Sequence, residues 1–241
     1  MPYASLHVTG AQPAALFGLP DTTSRQSPGF TMFAVDPYWG AAELIYVRAA
    51  GTIRQGGLVV LTQTLVSGAW RWDASEVPNT ANLGRPLYVA LTSATVGQFF
   101  WVSNMGIIPV NCTASVVADT TFGIVAAGQG GANAAGKQVL NARVIAPATQ
   151  TIAKTGCTSN SGSLRLSIPN ADGWFIGVFL SGTGIAGTTT VVDIDPSGTQ
   201  VTLSLATTAA VNGTITATYN NAVIFYNVAH VDRLCAQGAI T

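Results

Sequence analysis

The 241-residue chain carries ten basic and ten acidic side chains, so its formal net charge at neutral pH is zero. Charged residues make up 8% of the sequence, against about 25% in an ordinary soluble domain. This composition argues against a basic face for nucleic acid, and the 48% share of hydrophobic residues argues against intrinsic disorder. A neutral surface lacks the repulsion that keeps monomers apart, so we expect a subunit that is covered by neighbours.

No segment has the features of a membrane anchor or of a signal peptide. The longest apolar runs, such as AVIFYNVAHV, fall short of the roughly 18 residues that a membrane helix needs. The opening residues, MPYASLHVTG, lack the basic and apolar regions of a secretory signal. We therefore expect synthesis in the cytoplasm and no membrane partner.

Residues 1–45 differ from the rest of the chain because prolines recur along them. Proline removes a backbone donor and favours extended neighbours, which predicts an extended, Pro-rich N-terminal arm. The arm either crosses to a neighbouring molecule or wraps on its own domain. In the first case its aromatic side chains are the candidate contact residues. These are Phe17, Phe30, Phe33, Tyr38 and Trp39.

Residues 46–148 have the pattern of a β domain, since short apolar runs alternate with turn signals about every ten residues. The expected strands include LVVLTQTLV, LYVAL, FFWVSN and IIPV, with turns at SGAW and NMG. Trp70 and Trp72 lie two residues apart, as do Phe99 and Trp101, so each pair shares a strand face. These pairs pack in a core or, if exposed, form a platform for a sugar.

The stretch GGANAAGKQVL, residues 130–140, contains the spacing G-x-x-x-x-G-K of a phosphate-binding loop. Gln138 stands where that motif needs a hydroxyl for Mg²⁺, and the residues that follow are β-branched rather than helical. We therefore expect residues 128–137 to form a glycine loop between two strands of a wide hairpin, with no nucleotide bound.

A second β domain is expected over residues 149–228, followed by a C-terminal tail over residues 229–241. Val201, Leu203 and Leu205 alternate with polar residues, and Ile215, Ala217 and Tyr219 do the same. This period of two is typical of half-buried strands. DPSGTQ and AVNGT supply the expected hairpin turns. The sequence as a whole predicts an all-β protein with two small sandwich-like or barrel-like domains after the arm.

Few residues could support catalysis or metal binding. The two histidines, His7 and His230, have no motif partner for a catalytic triad. Asp193 and Asp195 share a strand face, which would suit a metal, although Asp195-Pro196 more simply opens a turn. We expect no catalytic residues, no cofactor and no metal.

The three cysteines, Cys112, Cys157 and Cys235, lie far apart along the chain and show no zinc or disulfide spacing. They are expected to be small buried thiols, since free cysteine packs as a small hydrophobe.

Residues 56–147 resemble the decoration, or cement, proteins of tailed-phage capsids. The order of parts carries the resemblance: a tryptophan turn, the strand PLYVAL, GQFFWVSNMGIIPV as a hairpin, and FGIVAAGQGGANAAGKQVLNARV. The later LSGTGIAGTTTVVDIDPSGTQVTLSLATT resembles a threonine-rich β module of phage structural proteins. The resemblance implies a homotrimer or similar cluster on the capsid exterior, the major capsid protein as partner, and no enzymatic activity.

A second class of function stays open. A head-fibre-like module that binds a glycan or a receptor would use Trp70, Trp72, Trp101 or Trp174 on an exposed face. Burial of these side chains would count against it.

Overall fold

The computed structural model describes residues 4–5, 19–36, 40–113, 116–146, 151–218 and 225–238. These residues contain no helix, and their regular structure consists of strands in two sheets, so the prediction of an all-β fold is confirmed. The first sheet contains β1 (Ala4–Ser5), β2 (Thr31–Asp36), β3 (Gly40–Ala49), β4 (Leu58–Val66), β5 (Ala69–Glu76), β6 (Tyr88–Ala90), β7 (Phe99–Cys112), β8 (Gly123–Ala126), β9 (Gln129–Gly131), β10 (Val139–Ala146) and β17 (Phe225–Ala236). The second contains β11 (Thr151–Ser159), β12 (Arg165–Ser167), β13 (Phe179–Ser181), β14 (Val191–Ile194), β15 (Gln200–Leu203) and β16 (Val211–Thr218).

Five strands of the first sheet close on themselves, and we call this unit the first barrel. The pairings run β3–β5–β4–β6–β7 and return from β7 to β3; only β3–β5 is parallel. Alternate residues of these strands face inward and form a hydrophobic cluster of their own. Its buried members are Val47, Ala49, Ile53, Val59, Leu61, Ala74, Ala90, Ala94, Phe100 and Val102.

Strand β7 runs on past the first barrel into a second circuit of strands, the shared ring. β7 pairs with β17, β17 with β10, β8 with β9, and β9 with β7. A bridge between Gly123 and Gln138 joins β8 to the start of β10. Ile108, Val110 and Cys112 alternate along β7 and are fully buried. One 14-residue strand therefore contributes to both circuits.

The hairpin expected in GQFFWVSNMGIIPV is wrong, because β7 is continuous through NMG. Gly106 has φ of 119°, and a Cβ there would lie 2.6 Å from the carbonyl oxygen of Ala41. Glycine thus lets β7 pass close to β3 and continue, rather than turn back. The strand that pairs with its second half is β17, which is more than a hundred residues away and leaves no local signal.

Two expected boundaries also differ from the structure. β3 crosses the boundary at residue 45, and residues 225–236 of the expected second domain and tail form β17 in the first sheet. Ala229 and Val231 are fully buried there, which explains why this segment is ordered against β7 and β10. The chain thus leaves the first sheet, forms the second, and returns.

The second sheet also closes, and we call it the second barrel. Its order is β13–β16–β11–β12–β15–β14, and a bridge between Phe179 and Thr190 joins the two end strands. Val201, Leu203, Ile215 and Ala217 are buried as their alternation predicts, whereas Leu205 lies beyond β15 and is exposed. Tyr219 lies outside the described residues.

The two expected turns of this unit behave differently. DPSGTQ forms the turn between β14 and β15, as predicted. The Asn-Gly of AVNGT instead lies inside β16, so the turn expected there is wrong. The register between β16 and β11 shifts beside Gly213, so glycine accommodates an irregularity within the strand rather than a hairpin.

The described part of the expected arm is extended only in β1, β2 and the start of β3, since residues 19–30 form bends and turns, and it lies on the chain's own first sheet. β2 pairs with β3 along residues 31–36, and Asp21 forms a bridge with Phe99. Met32 and Ala34, which belong to β2, are buried. For residues 19–36 and 40–45 the structure therefore matches the wrapped alternative.

Candidate functional site

The glycine-rich loop lacks the geometry of a nucleotide site. β8 and β9 form a tight hairpin, a short turn follows, and β10 begins two residues after Lys137, where a phosphate-binding loop would need a helix. Lys137 donates a hydrogen bond of 2.8 Å to Asn79 Oδ1. The strand predicted after the loop is confirmed, while the wide hairpin is divided by β9.

The titratable residues are dispersed. The described part of the chain contains no group of three or more His, Cys, Asp or Glu side chains that could hold a metal ion. Asp195 accepts hydrogen bonds from the backbone N–H of Thr199 and Gln200, at 2.9 and 2.7 Å, and from the Ser197 hydroxyl. Partial burial tends to raise the pKa of Asp195, but these hydrogen bonds hold it below its ordinary value. Asp195 therefore closes a turn.

The cysteines match their prediction in part. Cys112 and Cys157 are buried, Cys235 is partly buried, and none of these three described cysteines forms a disulfide. Burial raises the pKa of Cys157, which keeps it protonated and unreactive.

A polar latch ties the segment before β2 to the first barrel. The hydroxyl of Tyr46 donates a 2.8 Å hydrogen bond to Asp21 Oδ2, and Arg25 Nε lies 2.7 Å from Asp21 Oδ1. Asp21 and Phe99 exchange backbone hydrogen bonds of 2.7 and 2.8 Å. Burial, with a further contribution from Asp21, raises the pKa of Tyr46 to about 12.

Two of the five candidate arm residues fall within the described residues. Phe30 makes an edge-to-face contact with Trp101 at a centroid distance of 6.2 Å, yet remains 39% exposed. Phe33 lies on the outer face of β2 and is 48% exposed. Phe17, Tyr38 and Trp39 lie outside the described residues.

The tryptophan pairs divide into buried and exposed members. Trp101 and Trp174 are buried, and the indole N–H of Trp174 donates a 3.2 Å hydrogen bond to the carbonyl of Ile152. Trp72 is partly buried against the interior cluster of the first barrel. Trp70, in contrast, is 65% exposed. The buried members fit the core prediction, and Trp70 does not.

The tip of the β4–β5 hairpin is the most apolar exposed turn among the described residues, and we call it the hairpin tip (residues 65–70). Leu65 pairs directly with Trp70 and is 57% exposed, and Val66 is 39% exposed. Ser67 and Gly68 both have positive φ, 52° and 81°, as the two-residue turn requires. The SGAW turn could be predicted from the sequence. The pairing of Leu65 with Trp70 could not, because it depends on the register of β4 and β5.

Nearly all arginines near the first sheet are paired with an acid of the same chain. Arg54 forms two hydrogen bonds of 2.8 Å to Glu76, and Arg71 forms two of 2.9 Å to Asp73. Burial tends to raise the pKa of Asp73, but hydrogen bonds from Arg71 and Thr64 lower it below its ordinary value. The few charges thus neutralise one another locally.

No family model matches the chain, and no curated protein or solved structure matches it. Among the described residues, no helix is long and apolar enough to span a membrane.

Proposed function

We propose that this chain is a non-enzymatic virion protein that is made in the host cytoplasm, binds the outside of a phage capsid and stabilises the shell as a decoration protein. The sequence resemblance of residues 56–147 suggests the class, although one of its expected parts, the hairpin, is the continuous strand β7. The hairpin tip is the observation that carries the proposal. Its partners are the major capsid protein and further copies of itself in a homotrimer or similar cluster.

The hairpin tip supports binding to a protein surface. Leu65, Val66 and Trp70 are exposed on a turn at the end of the β4–β5 hairpin, whose other end is part of the first barrel. Exposed apolar side chains of this size are costly in water and are typical of contact sites, and tryptophan is common among the residues that dominate binding energy. A projecting hairpin can enter a depression in a shell without any change in the barrel.

The pairing of charges supports a contact that depends little on salt. Arg54, Arg71 and Arg143 each face an acid of the same chain, at 2.8, 2.9 and 2.6 Å, so little net charge is left to steer a partner. Assembly through apolar and neutral polar contacts should therefore persist when salt screens charges.

Co-sedimentation with empty shells of the major capsid protein from the same genome tests the proposal. We expect the wild-type chain to sediment with shells in low and high salt, and Trp70→Ser with Leu65→Ser to reduce occupancy at least tenfold. Val192→Ser is the matched control, since Val192 is a similarly exposed apolar residue of the second barrel, at 45%. Equal occupancy of the hairpin variant and wild type would refute the role of the hairpin tip. Absence of wild-type binding would refute the capsid role.

A glycan- or receptor-binding module of a phage particle is the second candidate, because Trp70 presents an exposed ring. Binding of the isolated chain to host-cell glycans, lost in Trp70→Ala, would favour it over the decoration role.

A further inference from the structure

A cleft of about 610 Å³ lies between the second barrel and the first sheet. One wall carries the side chains of Gln55, Asn111 and Gln129, and the other carries Phe179 and Thr190. Clefts between structural units are frequent ligand sites, and this volume is within the usual range for small organic ligands.

Strand alternation explains the wall formed by the second barrel. Val178 and Leu180 are buried in the barrel, and Val191 is buried beside Thr190. Phe179 and Thr190 therefore stand on the outer face, where they form the bridge pair that joins the two end strands. The outer face offers the cleft one aromatic ring and one hydroxyl.

The opposite wall offers amide groups with unused bonding capacity. Gln129 Nε2 donates a 3.2 Å hydrogen bond to Asn111 Oδ1, and Asn111 is 3% exposed. Among the described residues, neither the Asn111 amide nitrogen nor the Gln129 amide oxygen has a hydrogen-bond partner. Asn111 is buried and Gln129 partly buried, and both line the cleft, so a donor and an acceptor lie side by side there.

The cleft has no free charge to attract an anion. Arg54 lies at its rim, but both its Nε and Nη2 are held by Glu76 at 2.8 Å, and Nη2 also donates to the carbonyl of Ala127. Gln55 donates to the carbonyl of Leu91 at 3.1 Å. A neutral ligand therefore fits these walls better than a charged one.

We propose that this cleft binds a neutral sugar unit. The apolar C–H face of the sugar ring packs on Phe179, and neighbouring hydroxyls bond to the donor of Asn111 and the acceptor of Gln129. A hydroxyl both donates and accepts, which matches an amide pair of this kind. A peptide is the other neutral amide-binding ligand, but a compact cleft with one ring suits a single cyclic unit better than an extended chain. This site is separate from the hairpin tip and independent of the proposed capsid role.

Titration of the full chain with the methyl glycosides of glucose, galactose and N-acetylglucosamine tests the proposal. The readout is the NMR signals of the Asn111 and Gln129 side-chain amides. We expect at least one sugar to shift them with a dissociation constant of about 1 mM, as the small size of the ligand dictates. Phe179→Ala and Gln129→Met should each weaken binding at least tenfold, with the thermal transition of each variant recorded to show that it folds. Trp70→Ala should leave binding unchanged.

Three results would overturn the proposal. The first is no shift of these amides at tens of millimolar of any of the three sugars. The second is sugar binding that Trp70→Ala removes and Phe179→Ala does not, which would place the site at the hairpin tip. The third is tighter binding of a blocked dipeptide such as N-acetyl-glycyl-serine amide than of every sugar, which would identify a peptide site.

Discussion

The two barrels close in different ways. In the first barrel, β3 and β7 pair along six residue positions from Glu43 to Arg48. In the second, one bridge between Phe179 and Thr190 joins the end strands, with backbone hydrogen bonds from Leu180 to Thr189, from Val191 to Val178 and from Gly177 to Val191. The β3–β7 edge of the first barrel is thus a longer ladder than the edge that closes the second barrel, although the β3–β5 and β4–β6 edges have two residue pairs each. The seam of the second barrel also forms one wall of the cleft, so the more weakly paired region is the one offered to a ligand.

The largest effect should come from the interior of the second barrel. Trp174 is fully buried, so Trp174→Ala removes its packing and its hydrogen bond to Ile152. We expect a loss of about 3–5 kcal/mol in the free energy of unfolding, measured by urea denaturation. Trp70→Ala, an exposed residue of the same type, should change stability by less than about 0.5 kcal/mol. If the two variants were equally stable, the second barrel would not depend on this side chain.

A backbone change should weaken the first barrel next. Gly106→Ala places a Cβ 2.6 Å from the carbonyl oxygen of Ala41, at a φ of 119° that alanine rarely adopts. Because backbone cannot move aside cheaply, we expect a loss of roughly 2–4 kcal/mol. The matched control is Gly51→Ala, where a Cβ would meet nothing within 4 Å. A Gly106→Ala chain as stable as the control would contradict the close approach of β7 to β3.

The Asp21–Tyr46 latch gives a smaller, pH-dependent effect. The folded pKa of Tyr46 is raised to about 12, above its ordinary 10.0. The folded state therefore holds the proton more tightly than the unfolded state does. The resulting stabilisation is fully present below pH 10 and is lost as the pH rises towards 12.

Tyr46→Phe should reduce stability by about 2 kcal/mol at pH 8, because it leaves the buried Asp21 carboxylate without its hydroxyl donor. Stability is measured by urea denaturation at intervals between pH 8 and pH 12. The variant should lack the wild-type loss of stability above pH 10. Parallel pH profiles for the two proteins would contradict this assignment.

The smallest effect is expected at the turn that carries β14 to β15. Asp195→Ala removes the acceptor for the backbone N–H of Thr199 and Gln200 and should cost about 1 kcal/mol near neutral pH. Because the folded pKa of Asp195 is lowered, its stabilisation is present above the ordinary pKa of an aspartate and is lost as the pH falls through the folded value. Thermal denaturation at pH 7 and pH 3 measures this; an unchanged difference between variant and wild type at the two pH values would contradict it.

Local patterns predicted the strands well and their partners poorly. LVVLTQTLV is β4 from end to end, and the burial of Val201 and Leu203 follows from their alternation. The continuity of β7 through Gly106 could not be read locally, because glycine in a strand and glycine in a turn look alike until the neighbouring backbone is known.

The candidate sites show the same limit. The exposure of Trp70 depends on how far β4 and β5 project beyond the first barrel, which the residues alone do not state. The cleft joins Asn111 of β7 to Phe179 of the second barrel, and no spacing in the sequence brings them together. The sequence alone showed that charged residues are few. The described ion pairs show that several of them neutralise one another within the chain.

The position of β17 in the first sheet has a consequence for synthesis on the ribosome. Strands β3 to β7 can close the first barrel once residues 40–112 have emerged, and the second barrel needs only residues 151–218. The shared ring, however, waits for residues 225–236, which follow the strands of both barrels in the chain. Until then the apolar face of β7 around Ile108 and Val110 stays uncovered, with an unpaired strand edge beside it. A chain cut short before residue 225 should therefore aggregate through this uncovered face, although both barrels would already be formed.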